Sequence, residues 1–134
     1  MIAKKRMLER GRIRIYLSTP FIYMMIFPLI ILDIFLELYH RITFRLYDIP
    51  LVIRSEYIKF DRYKLNYLGF MDKINCEYCS YANGLIHYAS RIGGDTEKYW
   101  CPIKHELNKK FNAPSHHVKF IKFGDKKSFE RKFR

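Results

Sequence analysis

The chain has 134 residues, one domain's worth with room for an attached membrane element, and a net charge of +12. A basic balance suits nucleic acid, an anionic membrane surface or an acidic partner. No helix-turn-helix or RRM signature accompanies the charge, which disfavours nucleic acid.

The first stretch, residues 1–14, is a basic arm carrying Lys4, Lys5, Arg6, Arg10, Arg12 and Arg14. It leads into a membrane-associated helical segment, residues 15–47. Within it Ile15 to Leu32, "IYLSTPFIYMMIFPLIIL", holds no charge. As a helix this run is ~27 Å long, close to the ~30 Å thickness of the bilayer hydrocarbon. It is long for the apolar part of a signal peptide, and no small-x-small site precedes Arg41, so it is expected to stay in the mature protein. Pro20 lies near its start and Pro28 in its middle, where a kink is expected. Two topologies follow: a kinked crossing, or a re-entrant dip that breaks at Pro28 and returns to the same face. Arg41 and Arg45 place bases after the segment as well as before it, where anionic headgroups attract them and charge bias sets orientation. Asp33 and Glu37 share one helical face just past the uncharged run, and Arg41 continues that stripe in position to pair with Glu37. The competing reading makes Asp33 or Glu37 a proton, metal or catalytic group of a monotopic membrane enzyme.

Leu38 to Tyr47 continues in helical pattern, and "YDIP" at Tyr47–Pro50 is its expected stop. Residues 48–111 form the small Cys/His domain. Val52–Phe60 and Tyr63–Leu68 can pair as a short β-hairpin, with Asp61-Arg62 near its turn. Leu85 to Ile92 has helical spacing and is expected to end at Gly93-Gly94, with Asp95-Thr96 capping a new short helix. Pro102 fits the first turn of another, Ile103 to Phe111. Residues 112–134 are a basic tail that alternates bases with phenylalanines. The fold class is therefore mainly α: a kinked or re-entrant membrane helix followed by a small metal-stapled domain. A domain this small often needs such a staple.

The three cysteines supply one. Cys76-x2-Cys79 and Cys101-x3-His105 are two close pairs separated by a long insert, the arrangement from which small tetrahedral sites are built. Thiolate and imidazole donors suit zinc, with iron or an iron–sulfur cluster as the redox alternative. Other readings are weaker. A disulfide would leave an odd thiol, and c-type haem needs a histidine where Ser80 stands. A redox C-x-x-C wants a thioredoxin-like context that is missing. A cysteine nucleophile would need His87 or His105 as base. His87 could also replace His105 as ligand, although "LIHYAS" reads as a helix face with a packed histidine. His116 and His117 read as surface residues.

"CEYCSYANGLI", "YWCPIKH" and the upstream "FIYMMIFPLIILDIFLELY" together resemble a family of small uncharacterised bacterial membrane-associated proteins, over most of Thr19 to Lys110. The resemblance implies a bacterial inner-membrane location and joint importance of Cys76, Cys79, Cys101 and His105, and no substrate. The resulting expectation is a membrane-anchored, zinc-binding accessory or adaptor protein. Its partners would be a bilayer with anionic headgroups and a membrane protein. The basic flanks and reduced thiols point its soluble part toward the cytoplasm.

Overall fold

The computed structural model describes residues 11–134; the basic arm before Gly11 lies outside the described residues. Helices dominate: α1 (Arg12–Met24), α2 (Ile26–Leu46), α3 (Phe70–Trp100) and α4 (Lys126–Phe133). Among the described residues there is no strand, only an isolated parallel bridge between Ile103 and Ile121. The chain divides into two compact units, Met1–Ser90 and Arg91–Arg134.

In the first unit, α1 and α2 form one helical run, Ile13–Leu46, long and apolar enough to cross a membrane, with mean hydropathy 2.2. The break falls at Met25, one turn before Pro28. Proline causes this: it donates no N–H and its ring presses on the carbonyl four residues back, which is that of Met24. Met25 keeps helical angles (φ −63°, ψ −14°), so the run is interrupted for one residue and does not reverse at Pro28. The hydroxyls of Ser18 and Thr19 donate to the Ile15 carbonyl, which satisfies them within the helix. A narrow stripe faces protein: Thr19, Tyr23, Ile26, Leu29, Asp33, Glu37, His40 and Phe44, at helical spacing. The rest of the circumference is exposed and, from Leu17 to Leu38, largely apolar, including Leu17, Phe21, Phe27, Ile31, Phe35 and Leu38. Only 6% of the most apolar window is buried. A core helix of a soluble protein would be covered.

Helix α2 ends at Leu46, as "YDIP" predicts, and Asp48 takes a positive φ of 53°. The connection 47–69 then travels back along α2, so α3 runs parallel to α1–α2. Contacts rise together along both: Ile22 with Tyr78, Asp33 with Tyr81, Glu37 with Tyr88. The hairpin does not form. Its residues hold two single 3₁₀ turns, Arg54–Glu56 and Arg62–Lys64, because the segment pairs with the helices and not with itself. The Val52 N–H donates to His40, Phe60 stacks on Tyr81, and the Tyr63 N–H donates to Glu77. This strap passes so close to α3 that a Cβ on Gly84 would lie 2.6 Å from the Tyr57 carbonyl oxygen.

In the second unit α3 continues through Gly93-Gly94 instead of stopping. Asp95 pairs with Arg91, and the Thr96 hydroxyl donates to the Ile92 carbonyl, so both serve the same helix. No helix follows Pro102: Ile103 is drawn into the bridge with Ile121, whose N–H and carbonyl bond Pro102 and Lys104. The tail is not all irregular. Asp125 accepts from the Ser128 N–H and caps α4.

The two glycines of α3 make a contrast. Gly84→Ala forces its methyl against the strap backbone and should destabilise the protein by about 1–3 kcal/mol. A Cβ on Gly93 meets nothing within 4 Å, so Gly93→Ala should stabilise by roughly 0.5–1 kcal/mol through helix propensity alone. Thermal melts of both variants in detergent check the difference in sign.

Candidate functional site

Two groups of interacting polar side chains stand out, one in each unit. In the first unit, Asp33 and Glu37 lie one turn apart on α2 and the strap delivers Arg54 between them. The Arg54 guanidinium donates to both Asp33 oxygens, one at 2.7 Å, and to Glu37 Oε1 at 3.3 Å. Arg41 donates to the other Glu37 oxygen at 2.9 Å, the pairing expected from sequence. From α3, the Tyr81 hydroxyl donates to Asp33 at 2.8 Å and the Tyr88 hydroxyl to Glu37 at 2.9 Å.

His40 completes the chain. Its Nε2 accepts the Val52 N–H at 3.0 Å, so the neutral ring carries its proton on Nδ1. That proton points to the Tyr88 oxygen at 3.1 Å, which passes its own to Glu37. Desolvation by burial, then the bond to Glu37, pushes the Tyr88 phenol up to about 12. Hydrogen bonding to Asp33 raises the Arg54 guanidinium further. Every group here already has its charge or hydrogen-bond partner, the signature of a structural clamp.

The second unit holds three potential metal donors. Glu97 lies on α3, and His116 and His117 lie on the 3₁₀ turn Ser115–Lys119. Both histidines place Nε2 on the same Glu97 oxygen, at 2.7 and 2.9 Å. One donor atom from each of the three lies within 4.8 Å of the others. The hydrogen bond from His116, then the one from His117, holds the Glu97 carboxyl below its ordinary range. Local sequence explains the approach. Gly94, one turn before Glu97, leaves room for the His116 ring, since a Cβ there would be 3.0 Å from Nδ1. His117 is buried and stacks on Phe120.

The donor set fits a transition metal. Two imidazoles and a carboxylate are borderline ligands suited to zinc or iron. Tetrahedral ligands at ~2.0–2.1 Å from an ion stand roughly 3.4 Å apart, a few tenths beyond the present spacings.

The sequence-based set is distributed differently. Cys76 and Cys79 lie one turn apart on α3 in the first unit, while Cys101 and His105 belong to the second. The three cysteines are free thiols, Cys79 and Cys101 exposed. Among the described residues, Glu97, His116 and His117 form the only three-donor group, and it includes none of the four. His105 approaches it, with its ring centroid 5.7 Å from that of His117. His87 is exposed with its ring near Tyr57, so it is not packed within a helix face as read from sequence. His117 is likewise not a surface residue. An adjacent His-His pair after the cysteine motif was the available signal.

No family model matches the chain, and no curated protein or solved structure is found similar to it.

Removing Arg54 with an apolar residue of similar length, Arg54→Met, leaves Asp33 and Glu37 facing each other. The expected loss is about 2–3 kcal/mol, below the ~3–5 kcal/mol of a fully buried pair because Arg54 is partly exposed. Arg41→Ala removes an exposed partner and should cost under about 1 kcal/mol. Chemical denaturation of both variants in detergent measures the gap.

Proposed function

We propose that the protein is a membrane-anchored, metal-binding accessory or adaptor protein, seated in the bilayer by α1–α2. The observation that carries the reading is the unpartnered apolar surface of Ile13–Leu46. Side chains such as Phe21, Phe27, Ile31 and Phe35 need an apolar surrounding, and lipid is the one that fits a helix of this length. Bases on both sides of the segment favour anionic headgroups and a soluble part toward the cytoplasm, and the bacterial inner-membrane location is what the resemblance implies.

The metal-binding role rests on Glu97, His116 and His117, with zinc as the ion. Cys76, Cys79, Cys101 and His105 are the competing ligands, and the two sets give opposite mutational results. Purified protein should bind one zinc ion, and His117→Asn or Glu97→Gln should weaken binding by at least about tenfold, the loss of one good ligand. Cys76→Ser and Cys79→Ser should leave it unchanged. Elemental analysis and competition with a chromophoric chelator read both. Metal that follows the cysteines instead would return the site to the four residues of the sequence motif.

The redox alternative, iron at either set, would colour the purified protein. The enzyme alternative finds little support at Asp33 and Glu37, whose oxygens are taken up by Arg54, Arg41, Tyr81 and Tyr88.

A further inference from the structure

Cations and exposed apolar side chains stand together at the end of the second unit. Lys119, Lys122, Arg131 and Lys132 line one open hollow of about 590 Å³, with Asp125 and Ser128 also on its walls. All four bases are exposed, and none forms an ion pair among the described residues. The two neighbouring carboxylates are engaged elsewhere. Asp125 accepts the Ser128 N–H as the cap of α4, and Glu130 pairs with Lys126 and Arg134. Four cations around one hollow, against a single carboxylate already in use, attract a multiply charged or clustered anion. The apolar part adjoins it. Lys122 to Asp125 is a β-turn, closed by the Asp125 N–H on the Lys122 carbonyl at 3.1 Å, with Gly124 at φ 80° in its third position. Phe123 takes the second position and is 61% exposed, although Lys122 and Asp125 on either side of the turn line the hollow. Val118 and Phe133 are exposed as well. A ring held at the corner of a tight turn gains nothing in water, whereas a membrane surface accepts phenylalanine and bases side by side.

We infer that this surface is a second membrane contact, separate from α1–α2, whose hollow takes the phosphate of an anionic phospholipid while Phe123 enters the bilayer beside it. Lysine and arginine donate to phosphate oxygens, and the lipid supplies the negative charge that Asp125 and Glu130 do not. A soluble anion would satisfy the bases but leave Phe123 and Val118 in water, which favours lipid. A zwitterionic headgroup brings its own cation to the hollow and gains little there. The inference rests on the membrane reading above and deepens it, because it gives the C-terminal unit its own lipid preference. The anchored helix keeps that unit at high local concentration near a bilayer, so even a weak contact is populated.

The test uses the full chain in lipid nanodiscs of phosphatidylcholine alone, or of phosphatidylcholine mixed equally with phosphatidylglycerol, the phosphatidylcholine brominated on its acyl chains in both. Phe123→Trp supplies a fluorescent reporter, read as the difference from wild type because Trp100 is the chain's other tryptophan. Bromine should quench the reporter in the mixed discs and not in phosphatidylcholine discs, and high salt should reverse the quenching. Adding Lys122→Gln and Arg131→Gln should lower the ratio of bound to free surface by roughly tenfold or more, the effect of two bases at an anionic leaflet. Circular dichroism equal to wild type identifies folded variants. If Phe123→Trp misfolds, slower hydrogen exchange of residues 118–134 of wild type in mixed discs reads the same contact. Equal quenching in both discs, or none in either, overturns the anionic contact while leaving the membrane reading standing. A reporter that responds to inorganic phosphate, an oligonucleotide or polyglutamate in phosphatidylcholine discs, and not to anionic lipid, assigns the hollow to that anion and overturns the lipid contact. Failure of the protein to enter any disc overturns both.

Discussion

The guanidinium of Arg54 reaches both Asp33 and Glu37, two carboxylates on a helix whose exposed surface is largely apolar. Without it, like charges one turn apart would repel, and neither would tolerate the packing of α3 beside them. With it in place, the strap is fixed along α2, and everything stacked on the strap acquires a position. Tyr57 and Ile58 lie over Gly84, Phe60 lies on Tyr81, and the Tyr63 backbone lies at Glu77. The tyrosines of α3 then close the arrangement from the far side, with Tyr88 and Tyr81 as donors to the same carboxylates. One side chain thereby ties together three segments that are remote in sequence.

Sequence reasoning found the local features of the first unit and missed the tertiary one. An uncharged run, a mid-run proline, an acidic pair with Arg41 one turn on, and a stop at "YDIP" are all short-range signals, and each corresponds to an observed feature. That Arg54 would complete the acidic pair was not readable, since it depends on the chain doubling back. The same cause defeated the hairpin: Val52–Phe60 has β-branched and aromatic residues because it packs between helices, a setting that selects those residue types as a sheet does.

The second unit shows a different failure. Gly93-Gly94 reads as a helix stop because glycine is the usual residue just past a helix end. Here one of the two is required for closeness: the His116 ring occupies the space a side chain at Gly94 would take. A helix tolerates glycine at about 1 kcal/mol, which burial of Ile92 and the ring contact can offset. The two metal candidates differ in legibility for a related reason. Cysteine spacing is a strong pattern in one dimension, whereas Glu97, His116 and His117 form a group only after the chain beyond α3 folds back onto it.

The direction of the strap carries a consequence for the order of events during synthesis. Asp33 leaves the ribosome before Arg54, which lies 21 residues later. At about 5–20 residues per second Asp33 waits roughly 1–4 s for its counter-ion. Tyr81 and Tyr88 come later still. During that interval Asp33 stands uncompensated, whereas Glu37 already has Arg41 one turn on. By the time Arg54 neutralises Asp33, the strap is being laid back along α2, and Tyr81 then closes the site from α3.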